Sequence, residues 1–166
     1  MKISNDKFKI DDKSILNYYE IKSNKPKLLL LHAQGTNSLS FMSVINKLSK
    51  YFHIYLVDYY GHGKSSFNRE KYNLIDIGND IIKFIEEVIK DNVSVLGHSS
   101  GGLIASYIAS NCELCSGLIL EDPPFFASVG DRRFNTYNYV DLSTVCHNFI
   151  SQDKIKDFVY YYFINQ

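Results

Sequence analysis

The sequence carries no surplus of charge. Lys+Arg and Asp+Glu each number 18, for a formal net charge of zero. Nucleic acid or an anionic membrane surface calls for a basic face, so neither is an expected partner. The first residues, Met1-Lys2-Ile3-Ser4-Asn5-Asp6, lack the apolar stretch of a secretory signal. No apolar run is long enough to span a bilayer. Cysteine is scarce: three residues cannot all pair internally, which fits a reducing compartment and points to the cytoplasm. Cys112 and Cys115 fall at a helix end, where a redox or zinc role would need a helix start or a second ligand pair. Two small residues at a helix terminus are the plainer reading. Tryptophan is absent, and no function follows from that.

What is present is an ordinary globular composition, 45% hydrophobic over 166 residues, enough for one domain with a buried core. Short strands are expected over Phe8–Ile10 and Ile15–Ile21, joined by a turn at Asp11-Asp12-Lys13. Lys27–His32 and His53–Val57 read as strands buried on both faces. Ser40–Lys50 reads as a helix with Phe41, Val44, Ile45 and Leu48 on one face and Ser38 or Ser40 as cap. Leu74–Lys90 is the clearest helix, with the stripe Ile77, Ile81, Phe84, Ile85, Val88 and Ile89. Further strands are expected at Val93–Leu96 and Gly117–Glu121, with a helix from Gly101 to Asn111 between them. Strands alternating with helices imply an α/β fold, a mostly parallel sheet covered on both faces.

The stretch Gly97-His98-Ser99-Ser100-Gly101 follows the strand Val93–Leu96 and opens the next helix. This is G-x-S-x-G in the setting the motif requires. A sharp strand-to-helix turn pushes the serine out of the sheet, and the next backbone N–H faces whatever that serine attacks. The helix N-terminus adds partial positive charge. The arrangement suits attack on a carbonyl carbon, whereas a glycine-rich turn without that setting would not.

Two further blocks stand in front of it. Leu28-Leu29-Leu30-Leu31-His32-Ala33-Gln34-Gly35 is a strand running into a loop, and Asp58-Tyr59-Tyr60-Gly61-His62-Gly63-Lys64-Ser65 is a second loop. The second is not a phosphate loop, because that motif requires glycine where Asp58 stands. A nucleotide-binding reading is therefore poor. Taken in order, the three blocks resemble the α/β-hydrolase family, serine hydrolase branch: the "HG" oxyanion loop, the D-x-x-G-H-G-x-S loop and the nucleophile elbow.

The resemblance implies a core over 1–124 and the start of a helical cap over 125–166, with helices expected at 142–150 and 154–163. It implies a sheet incomplete at its C-terminal end, since family members normally continue with two more strands. Ser99 is the implied nucleophile, and a serine there argues against the dehalogenase branch. Ser100 and Gln34 are the implied backbone donors of the oxyanion hole, with Ala33 replacing the usual glycine. The implied substrate is an ester or similar small acyl compound, with no cofactor and no metal. Of Glu121 and Asp122, Asp122 is the better candidate for the acid, although an acidic residue before Pro123-Pro124 is also an ordinary strand-ending device. No catalytic histidine is assigned. His147 is the one histidine after Ser99, and it falls in an expected cap helix. The alternative is a catalytically incomplete fragment or pseudo-hydrolase. It would be a binding module or half of a split enzyme, with the open sheet edge at Gly117–Glu121 inviting self-association or a complementing chain.

Overall fold

A computed structural model of the chain describes residues 2–69 and 72–125. Beyond its first residue, the expected cap segment 125–166 lies outside the described residues, as do His147 and the helices expected there. Residues Met1–Pro123 form one unit built on a six-stranded sheet, in the order β1-β2-β4-β3-β5-β6. The strands are β1 (Ser4–Lys9), β2 (Ile15–Ile21), β3 (Lys27–Leu31), β4 (His53–Asp58), β5 (Val93–His98) and β6 (Cys115–Glu121). β1 pairs antiparallel with β2, and β2 antiparallel with β4. β4, β3, β5 and β6 run parallel to one another, as alternating strands and helices predict.

Central strand β3 is apolar on both faces, and Leu28 to Leu31 are each at most 1% exposed. Alternation divides them. Leu29 and Leu31 join Tyr55, Val57 and Val95 under helices α2 (Leu74–Phe84) and α3 (Ser100–Asn111). Leu28 and Leu30 join Ile54 and Leu56 under Phe41 and Ile45 of the other layer, where α1 (Met42–Leu48) lies. Burying each such side chain is worth roughly 1.5–3 kcal/mol.

Several element boundaries differ from the sequence expectation. β1 begins at Ser4, because its register against Glu20 and Tyr19 of β2 extends pairing over exposed polar residues that hydropathy does not mark. The segment before α1 is a 3-10 turn, Ser38–Phe41, capped by the Asn37 side chain rather than by Ser38 or Ser40. Val44 is exposed instead of joining the buried face. The helix expected to run from Leu74 to Lys90 changes at Phe84 into a π-helical turn, Ile85–Ile89. Lys90 ends it with φ 54°, its N–H donating to Ile85 O. Phe84, Ile85 and Ile89 are buried through this turn.

Candidate active site

β5 ends at His98 and α3 begins at Ser100, so Ser99 is the corner residue. Its backbone is in a strained region, φ 52° and ψ −119°. Such a conformation costs a non-glycine residue about 1–3 kcal/mol and persists only where the surroundings enforce it. They do so here. Ser99 N–H donates to Glu121 O at 2.8 Å, and Gly102 N–H donates to Ser99 O at 2.8 Å. A Cβ on Gly97 would overlap the Gly101 backbone, and one on Gly101 would overlap the carbonyl oxygens of Leu31 and His32. The two glycines therefore permit strand, corner and helix to close on one another. Ser99 is half-buried and its hydroxyl does not cap its own helix, although it holds the N-cap position. Ser100, as the first helical residue, has an N–H with no intrahelical acceptor.

The loop after β3 closes over the start of α3. Gln34 N–H donates to Ser100 Oγ at 2.6 Å. Gly35 N–H donates to His62 Nε2 at 3.2 Å. Ala33 O accepts from Thr36 Oγ1 at 2.8 Å and from His32 Nδ1 at 2.8 Å. The buried Tyr59 connects these pieces: its hydroxyl lies 3.1 Å from Ser100 Oγ, and its ring stacks on His32 and tilts against His62. Burial pushes the Tyr59 phenol up to about 12, so it stays neutral. Burial also drives the His32 imidazole down to about 4 and lowers that of His62. Both rings are therefore neutral at pH 7. His32 Nε2 is buried with no partner among the described residues, which suits an unprotonated nitrogen.

Asp58 anchors the second loop. It is 2% exposed and accepts from Ser38 N–H at 2.8 Å, Lys64 N–H at 3.0 Å and Asn17 Nδ2 at 3.0 Å. Burial opposes its charge, but the donors from Ser38, Lys64 and Asn17 outweigh it and hold the carboxyl below its usual range. Ser65 Oγ donates to Asp58 O and closes the turn. The loop is thus a structural turn that presents Tyr59 and His62 to the Gln34 loop.

Residues 26–144, more than half the chain, match the family model described as the alpha/beta hydrolase fold. The chain belongs to the alpha/beta hydrolase family. Within it, a serine hydrolase-like protein of Homo sapiens is 31% identical over 117 residues, 69% of this chain and 58% of that one. The pimeloyl acyl-carrier-protein methyl ester esterase of Photorhabdus laumondii is 34% identical over 109 residues, 63% of this chain and 39% of that one. Among solved structures, an esterase from Exiguobacterium antarcticum superposes with a TM-score of 0.61 at 30% identity, covering 67% of this chain and 42% of that one. In each case the chain spans less than two thirds of the relative's own length.

Of the residues that the alpha/beta hydrolase resemblance singles out, Ser99, Ser100 and Gln34 come together. Gln34 differs from expectation in one respect: its N–H is engaged by the Ser100 side chain rather than open. Asp122 follows β6 with φ 48° and is exposed. Its neighbour Glu121 holds Ser99 N–H, so it lies beside the elbow, but no described imidazole bonds to it. His32, His62 and His53 are committed to Ala33, Gly35 and Glu20 respectively. No group of three or more metal-ligating side chains occurs among the described residues. No described helix is long and apolar enough to cross a membrane. Sequence reasoning overlooked Tyr59 and the anchoring carboxylate of Asp58. The D-x-x-G-H-G-x-S spacing held the signal for Asp58, while nothing local marks Tyr59.

Proposed function

We propose that this chain carries the nucleophilic site of a serine hydrolase that takes an ester or similar small acyl substrate. Ser99 Oγ attacks the carbonyl carbon and the carbonyl electron pair moves to oxygen. The pair then returns, the ester C–O bond breaks, and the alkoxide departs with the proton given up by Ser99 as the alcohol. Water cleaves the acyl-enzyme to the acid and free Ser99. The Ser100 N–H and the Gln34 loop stabilise the oxyanion, and Asp122 is the acid that would orient a base. The observation that carries this reading is the strained Ser99 corner, whose hydroxyl is left out of helix capping. The esterases among the relatives support the substrate class.

Among the described residues His32, His53 and His62 are committed to other partners, so none of these three is assigned as the base for Ser99. With p-nitrophenyl acetate the expected result is slow, Ser99-dependent release of p-nitrophenol without a burst, within about tenfold of Ser99→Ala, since acylation and deacylation draw on the same base. Release that is identical in Ser99→Ala, with no acetyl group on Ser99 of the wild type, overturns the assignment.

A second reading is favoured by β6, which has a strand on one side only among the described residues and exposes Leu118, Ile119 and Leu120. In it the chain is catalytically incomplete, a binding module or one half of a split enzyme, and meets a second copy or a complementing chain along that edge. Ester bound without any acylation of Ser99 would favour it.

A further inference from the structure

Ser100 Oγ stands 2.6 Å from Gln34 N, in the direction its N–H points. An oxyanion seeking that N–H directly would have to occupy the same place. The Tyr59 hydroxyl reaches the same oxygen at 3.1 Å. A serine hydroxyl accepts two hydrogen bonds and donates one. Gln34 N–H can only donate. Either hydroxyl can donate in this pair. The phenol is the more acidic of the two and, being buried, needs an acceptor, which favours it as the donor to the aliphatic oxygen. Tyr59 is 2% exposed, and Ser100 Oγ is the partner its hydroxyl has among the described residues. With both acceptor sites filled, the Ser100 proton is the donor left over, polarised by the two bonds its oxygen accepts. It lies on the residue directly after the nucleophile.

We propose that the Ser100 hydroxyl, backed by Gln34 N–H and Tyr59 O–H, is itself a donor of the oxyanion hole and stands in for Gln34 N–H. Ser100 is then catalytic through its side chain as well as its backbone. Tyr59 is a positioning residue that fixes which way the Ser100 proton faces. No proton is transferred in this role; the hydroxyl keeps its hydrogen while charge develops opposite it. The inference rests on the Ser99 reading above.

Phenylboronic acid tests it on the full chain without requiring a catalytic base. Ser99 Oγ adds to trigonal boron, the serine proton passes to buffer, and the tetrahedral boronate carries a negative charge where the oxyanion would sit. Boron-11 NMR reads the tetrahedral species. Wild type is expected to form it and Ser99→Ala is not. Ser100→Ala should weaken binding roughly 10- to 100-fold, the size of a hydrogen bond to a charged group. Ser100→Thr, which keeps the hydroxyl, should stay within about threefold. Tyr59→Phe retains the ring that stacks on His32 and should weaken binding about fivefold. In the Ser100→Ala background it should have no further effect, a coupling that a merely structural role would not produce. Should Ser100→Ala fail to fold, Tyr59→Phe decides, and unchanged binding in it overturns the proposal. Equal or tighter binding by folded Ser100→Ala also overturns it, because the side chain would then only be plugging Gln34 N–H. No tetrahedral signal in wild type, or the same signal in Ser99→Ala, overturns the Ser99 reading instead.

Discussion

The His32 imidazole lies flat against the Tyr59 ring, with centroids 4.1 Å apart and planes within 6° of parallel. This stack joins the first two sequence blocks and sets the Tyr59 hydroxyl against Ser100 of the third, the first residue of α3. The loop geometry around Ser99 therefore depends on a buried, neutral histidine.

That dependence has a pH signature. Burial lowers His32 from 6.5 to about 4, and His62 shifts in the same direction for the same reason. Below about pH 6.5 the unfolded chain takes up protons that the folded chain refuses until pH falls to about 4, so stability declines across that window. For His32 alone the shift corresponds to roughly 3 kcal/mol. Urea melts of wild type and His32→Gln at neutral pH and at about pH 4.5 should show the larger decline in wild type. Equal declines would show that His32 is not the group responsible.

Gly101→Ala places a methyl group against the carbonyl oxygens of Leu31 and His32. Those atoms belong to the central strand and its loop, and cannot move as a side chain can. A loss of more than about 2 kcal/mol is expected in denaturant melts, since overpacking costs of this kind run to about 3 kcal/mol. A surface control such as Ser110→Ala on the same helix should change stability by less than about 0.5 kcal/mol. Comparable values for the two variants would contradict the close approach of helix and strand.

The exposed edge at β6 predicts self-association. Leu118, Ile119 and Leu120 are 41%, 45% and 37% exposed. Uncovered apolar area weighs about 25 cal/mol per Å², so a patch of a few hundred Å² forgoes several kcal/mol until something covers it. Melting followed with light scattering should depend on protein concentration, and Ile119→Lys should reduce that dependence. A concentration-independent melt of a wild-type monomer would contradict the second reading.

Much of this architecture was legible beforehand, for reasons specific to each element. β3 and β4 declared themselves because a strand buried on both faces must be apolar throughout, and Leu28–Leu31 is. The Ser99 corner was legible because only glycine fits at Gly97 and Gly101. The π turn at Ile85 was hidden, since one inserted residue leaves an apolar stripe that still reads as helix. The engagement of Gln34 by Ser100, and of Ser100 by Tyr59, was hidden because those contacts join residues far apart in sequence. The three blocks announce a site; how its donors are already engaged is a property of the packing.

The most direct test of the central claim is to find where an acyl group goes. After brief exposure to p-nitrophenyl acetate, the protein is digested and mapped by mass spectrometry. Acetylation is predicted on the peptide containing Ser99, at the Ser99 hydroxyl, and absent from that peptide in Ser99→Ala. Acetyl groups confined to surface lysines, with Ser99 unmodified, would contradict the account.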